Sequence, residues 1–194
     1  ASRGLVDVYK RQVGKEQNKI MSESLENFTN IVKEDIKEAK TLFFSEAFKE
    51  EYLKDRREEK ELYHQLLLGR NRNQILEEFL LSSGQKKPVL LSAAKTIYQA
   101  TIMNLDEPLE IKVKREGWGY LVGRIKSDGT FLSLHKNVFQ AEDFEDGTLT
   151  IYADMKTIPK DGDIDHLIIQ TVYQTLQIEV VYKEPVSYTH LTLP

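Results

Sequence analysis

The chain has 194 residues, with 27 Lys or Arg against 31 Asp or Glu, a formal net charge of −4 and no cysteine. The missing cysteine excludes disulfides, thiolate metal sites and cysteine nucleophiles. The acidic balance argues against non-specific nucleic-acid binding, which depends on Lys and Arg neutralising phosphates. No apolar run reaches the roughly eighteen residues of a membrane-spanning helix, and the compartment is left open, leaning to the cytoplasm.

At the N-terminus, Asp7-Val8-Tyr9-Lys10-Arg11-Gln12 can be encoded by GAT GTG TAT AAG AGA CAG, the end sequence of a transposon used to fragment DNA for sequencing. At the C-terminus, Val186-Ser187-Tyr188-Thr189-His190-Leu191 can be encoded by its reverse complement. Inverted copies at opposite ends are what an insert between adapters shows. Residues 1–12 and 186–194 are therefore expected to be adapter-derived and set aside before the fold is reasoned about. The natural part is then an interior piece of a longer protein.

Residues 13–87 read as a helical linker segment, with helix expected over 22–84. Leu25, Phe28, Val32, Ile36, Ala39 and Phe43 recur at three- and four-residue steps, one apolar stripe. Ser22 or Ser24 suits the first N-cap, Ser45 a second helix with Phe48, Tyr52 and Leu53, and Asn71 or Asn73 a last helix with Ile75, Leu76, Phe79 and Leu80. The run Asp55–Glu61, charged in both signs, fits a solvated face or connection. Gly69 and Gly84 are stop signals.

After Pro88 the period becomes two. Leu109, Ile111 and Val113 alternate with charged residues, as do Leu176, Ile178 and Val180 with mostly polar ones, the pattern of strands with one buried face. Strands are expected near 88–94, 96–103, 109–115, 118–126, 130–135, 148–153, 166–171 and 175–183, with a short helical turn within 137–147. Asp128-Gly129 is the best hairpin signal. Many short strands without intervening helices predict an all-β antiparallel sandwich over 88–185. Trp118, Leu121 or Val122, Phe131 or Leu132, Ile151, Ile169, Ile178 and Val180 are its expected core.

Taken in order, Phe28-Thr29-Asn30, Ala39-Lys40-Thr41-Leu42-Phe43, Glu77-Glu78-Phe79-Leu80, Gly117-Trp118-Gly119-Tyr120, Gly129-Thr130-Phe131-Leu132, Glu142-Asp143-Phe144 and Tyr173-Gln174-Thr175-Leu176 are similar to a family of large bacterial proteins of unknown function. The resemblance covers nearly all of residues 22–183 and rests on order and spacing. It implies immunoglobulin-like sandwich modules, a helical linker and downstream helical repeats in a multidomain protein. It implies no catalytic residue.

Asp161, Asp163 and Asp165, followed by His166, are the candidate metal ligands, since oxygen donors at alternate positions are what a calcium loop offers. The loop lacks the following glycine and distant glutamate of an EF-hand, and Asp-Gly-Asp before a strand is also ordinary turn chemistry. Glu142, Asp143, Glu145 and Asp146 read as an exposed connection anchored by Phe144. His64, His135 and His166 lack a nucleophile motif. Lys112, Lys114, Arg115 and Arg124 around Trp118 and Tyr120 would suit single-stranded nucleic acid if they shared a groove, but alternation places the lysines outside and Trp118 inside. No catalytic, cofactor-binding or metal site is assigned. The expected function is a non-catalytic structural or interaction module whose partners are neighbouring domains of the same chain or another protein, with no nucleic acid and no membrane span. The alternative is a carbohydrate- or metal-binding accessory module of an enzyme, and a weaker third reading is an enzyme whose site crosses a lost domain boundary.

Overall fold

The computed structural model describes residues 24–129 and 131–186, and the chain divides between Lys87 and Pro88 into two compact units. The helical unit contains α1 (24–34), α2 (Ile36–Phe43), α3 (Ala47–Tyr52), α4 (Arg57–Leu66) and α5 (Arg72–Ser82). The expected apolar stripe is broken at Asp35. Its backbone is extended and its carboxylate accepts from the Lys37 and Glu38 N–H groups, the geometry of an N-cap. The break turns the stripe, so Leu25, Phe28, Val32, Ala39 and Phe43 are buried while Ile36 is 44% exposed. Of the two serines expected at the first N-cap, Ser24 already lies within α1. The expected second cap is corrected. The Ser45 hydroxyl donates back to the Leu42 carbonyl at the end of α2, and the residue before α3 is Glu46. Asn71 caps α5 by accepting from Gln74 N–H at 3.1 Å. Gly84, at φ +76°, closes α5: its N–H donates to Leu81 O and that of Gln85 to Leu80 O, the paired bonds of a Schellman ending.

Aromatic rings fill the centre of this unit. Phe43 stands 4.9 Å from Phe48, 5.0 Å from Tyr63 and 5.2 Å from Phe79, and Phe28 is 4.9 Å from Phe48. Edge-on and tilted contacts of this kind suit the ring quadrupoles. The Tyr63 hydroxyl donates to Phe43 O at 2.6 Å, satisfying a carbonyl at the C-terminal end of α2, and burial pushes the phenol pKa up. The Lys86 ammonium meets the Glu77 carboxylate at 2.5 Å with both side chains buried.

The second unit is a β-sandwich whose described residues form nine strands: β1 (Leu90–Ala93), β2 (Ile97–Ala100), β3 (Leu109–Glu116), β4 (Val122–Ser127), β5 (Leu132–Leu134), β6 (Val138–Gln140), β7 (Thr148–Met155), β8 (Ile164–Gln170) and β9 (Thr175–Tyr182). One sheet has the order β1-β3-β7-β5 and the other β2-β9-β8-β4-β6. The architecture is helices followed by an immunoglobulin-like β-sandwich. Strict alternation buries Ile111, Val113, Ile125, Ile151, Ala153, Leu167, Ile169, Ile178, Val180 and Tyr182 between the sheets. Leu121, Phe131 and Leu132 join them, whereas Val122 faces out. Gln174 ties the sheets together at one end. Its Oε1 accepts from Leu91 N–H at 2.8 Å, and its Nε2 donates to Leu91 O at 2.7 Å.

Several expectations need correction. Trp118 is only half-buried, in the β3–β4 connection, because Gly117 and Gly119 take φ +102° and +98° and strand pairing starts only at Val122. The sandwich is not wholly antiparallel: after the chain changes sheets at 94–96, β2 runs parallel to β9. The expected strand over 96–103 ends at Ala100, where Thr101 and Asn104 exchange capping hydrogen bonds around a 3-10 turn, Ile102–Leu105. Asp128-Gly129 is not a hairpin turn, since it carries the chain from β4 in one sheet to β5 in the other. The tight turn is at Asp146-Gly147, whose φ angles of +49° and +76° have the sign a primed turn needs. Residues 137–147 hold the expected helical turn at Ala141–Asp143, but also the unexpected strand β6. Of the segments expected to be adapter-derived, residues 1–12 and 187–194 lie outside the described residues, as does Ser22, and Val186 is exposed.

Candidate functional site

The three aspartates of the candidate metal loop are not brought together. Asp165 points inward from β8 and is fully buried. Its Oδ1 accepts from the Ser127 hydroxyl at 2.6 Å and Gly129 N–H at 2.7 Å, and its Oδ2 from Leu132 N–H at 3.1 Å. This carboxylate therefore organises the crossing from β4 to β5, accepting from the Gly129 and Leu132 N–H groups there. Gly129 is required there, because a Cβ would collide with the Asp165 carboxylate. Asp161 and Asp163 are exposed and serve other donors: Asp161 accepts from Glu184 N–H at 2.9 Å, and Asp163 from Lys160 N–H at 3.0 Å. No group of three His, Cys, Asp or Glu able to hold a metal occurs among the described residues.

His166 faces outward on β8, between Asp128 (Nδ1 to Oδ2, 3.2 Å) and Glu179 (Nε2 to Oε1, 3.8 Å). The carboxylates sit on opposite sides of the ring, and Asp128 also accepts from His166 N–H at 2.9 Å. His135 stacks on Tyr152, with Nε2 2.8 Å from Asp154, both side chains open to water. His64 is exposed on α4. In the acidic connection, Asp143 accepts from Gln140 N–H at 2.8 Å and from Lys136 at 3.4 Å. The backbone hydrogen bond, aided by Lys136, holds its carboxyl below the usual carboxylate range. Phe144 packs on the core, as the sequence pattern suggests.

The basic and aromatic residues do not form one groove. Lys112 and Lys114 lie on the outer face of one sheet, whereas Arg124 lies on the outer face of the other. Arg115 is held by Gly119 O at 3.2 Å and lies over the Phe144 ring.

The feature that sequence reasoning missed is the β4–β6 edge. Register pairs Val122 with Gln140 and Arg124 with Val138, placing all four on the outer face. Gly123 lets the inward Phe139 ring lie against β4, where a Cβ would strike it. An open groove follows this edge, lined by Arg124, Val138, Gln170 and Val172 among others. A three-residue strand beside a helical turn leaves too short a periodic signal to find from sequence.

Among solved structures, the chain is similar to the E. coli chaperone DraB at 8% identity and TM-score 0.40, over 50% of this chain and 56% of that one. It is similar to the apo-form Calx CBD1 domain at 11% identity and TM-score 0.37, over 52% of this chain and 100% of the other. It is also similar to WR4, a C. elegans MSP family member, at 8% identity and TM-score 0.38, over 47% and 96%. The chain thus spans little more than half the length of DraB. No curated protein matches it. No helix among the described residues is long and apolar enough to cross a membrane, and the leaning toward the cytoplasm gains no support from the fold or these likenesses. The N-terminal model of a family of unknown function, DUF5717, matches residues 5–191, a span that enters both terminal segments. The chain belongs to that family.

Proposed function

We propose that this chain is a non-catalytic module that joins or presents neighbouring domains of a longer polypeptide, with residues 13–87 as a helical linker and 88–185 as the sandwich. The observation that carries the reading is where the chain enters and leaves the sandwich. It enters at Pro88, beside the end of β3, where Leu90 pairs with Glu116. It leaves after Tyr182 at the opposite pole, where β9 pairs with the first residues of β8 and the last of β2. Modules with opposed entry and exit are suited to serial connection. The acidic side chains that could have made a site are instead occupied by backbone donors of turns. The cytoplasm, another protein partner, and the multidomain bacterial setting implied by the resemblance belong to the same proposal.

Ligand-dependent melting separates this reading from a metal- or carbohydrate-binding accessory module. Millimolar calcium and a panel of oligosaccharides should leave Tm unchanged, since a ligand of the folded state raises stability in proportion to RT ln(1 + [L]/Kd). A calcium-dependent rise in Tm that disappears in Asp161→Asn/Asp163→Asn would replace the joining module with the accessory one.

A further inference from the structure

We propose that the outer edge of the five-stranded sheet, β6 with the adjoining face of β4, is a strand-addition site for an extended peptide bearing acidic side chains at alternate positions. Among the described residues, β6 ends its sheet and no strand pairs with its far side. Exposed edges are normally blunted by charges or proline within the strand, and Val138-Phe139-Gln140 contains neither. Val138 is 63% exposed and Val172, at the end of the same groove, 65%. An added strand would supply main-chain hydrogen bonds, with side-chain recognition falling on alternate residues.

Charge identifies the occupant. Arg124 and Lys126 stand two residues apart on the outer face of β4, both exposed, and neither has an ion-pair partner among the described residues. Their neighbours across β8 are neutral, Gln170 opposite Arg124 and Ile168 opposite Lys126. The nearby Lys136 already faces Asp143. An extended chain repeats its side-chain direction every roughly 7 Å, the same repeat that separates Arg124 from Lys126. A strand added to β6 lies two strand spacings, roughly 10 Å, from β4, a gap that a long basic side chain and a glutamate bridge together. Pairing of β6 with a second copy would instead bring two sets of these cations toward a shared axis, which disfavours the self-complementary contact. The proposal rests on the β6 edge and its two cations alone, so it stands or falls independently of the joining role.

The test uses the full chain and short, blocked, fluorescently tagged peptides in which Thr alternates with Glu or with Lys. The Glu peptide should bind at least about tenfold more tightly than the Lys peptide, and added salt should weaken it. Arg124→Gln/Lys126→Gln should erase the preference and Arg124→Glu/Lys126→Glu invert it, both variants melting like the parent chain. Saturating Glu peptide should slow amide exchange at Val138–Gln140. No binding, equal binding of both peptides, or binding without protection of β6 would overturn the proposal. So would concentration-dependent protection of β6 in the absence of peptide, which would give the edge to a second copy.

Discussion

At Asp165, a residue that reads as one member of an acidic loop proves to be the inward-facing support of the crossing between sheets. Asp165→Ala would leave the Gly129 and Leu132 N–H groups and the Ser127 hydroxyl without their acceptor. A buried donor left unmet costs about 1–3 kcal/mol, and of the three only Leu132 N–H is fully buried, so the urea midpoint should drop by an amount equivalent to about 1–3 kcal/mol. Asp165→Asn keeps one acceptor oxygen but turns an amide toward a donor, and should fall between parent and Ala. A midpoint unchanged in both variants would disprove the role. Asp143 offers a pH test. Its carboxyl is held below the ordinary range, chiefly by Gln140 N–H. Its contribution is therefore complete above the unfolded carboxylate pKa and is lost as pH falls through the folded value. Acidification from neutral should cost the parent chain more stability than Asp143→Asn, followed by melting at stepped pH. The role of Asp165 was not legible in the sequence, because its donors at 127–132 depend on which sheet receives each strand.

Elements show where pattern reading succeeds. β7, β8 and β9 are long enough for alternation to state the buried face, so Ile151, Ile169, Ile178 and Val180 were readable and are buried. It fails at Trp118, where two glycines at positive φ postpone pairing. It fails again at Ile36, where a capping aspartate interrupts a helical stripe that sequence alone continues through it. The ion pair between α5 and the chain just after it is another element-scale feature invisible to periodicity. Lys86 and Glu77 have side-chain exposures of 0% and 3%. Removing one partner leaves a buried charge and should cost about 3–5 kcal/mol, whereas replacing both with apolar side chains of similar volume should be nearly neutral. Glu77→Leu and Lys86→Met should therefore each lower stability far more than the double variant. A denaturation cycle checks this, and additive losses would show that the pair contributes nothing as a pair.

For the sandwich as a whole, topology determines how it meets load if it joins domains in series. β1 carries the incoming chain and β9 the outgoing one, each lying beside a strand that stays with the body of the sandwich. β9 also runs parallel to β2, with Glu179 N–H donating to Thr96 O at 2.9 Å and Lys183 N–H to Ala100 O at 2.9 Å. Tension applied at Pro88 and after Tyr182 pulls β1 and β9 along their own axes in opposite directions. The ladder hydrogen bonds on both strands are then loaded together in shear. Tension applied at the open end of the β8–β9 hairpin, where Ile164 pairs with Val181, would instead open their ladder one pair at a time. Single-molecule extension of the sandwich should thus give a higher unfolding force when it is held at residues 88 and 183 than at 164 and 181. Equal forces in the two geometries would mean that the parallel β2–β9 pair bears no special load, and would remove the mechanical argument for a serial connector.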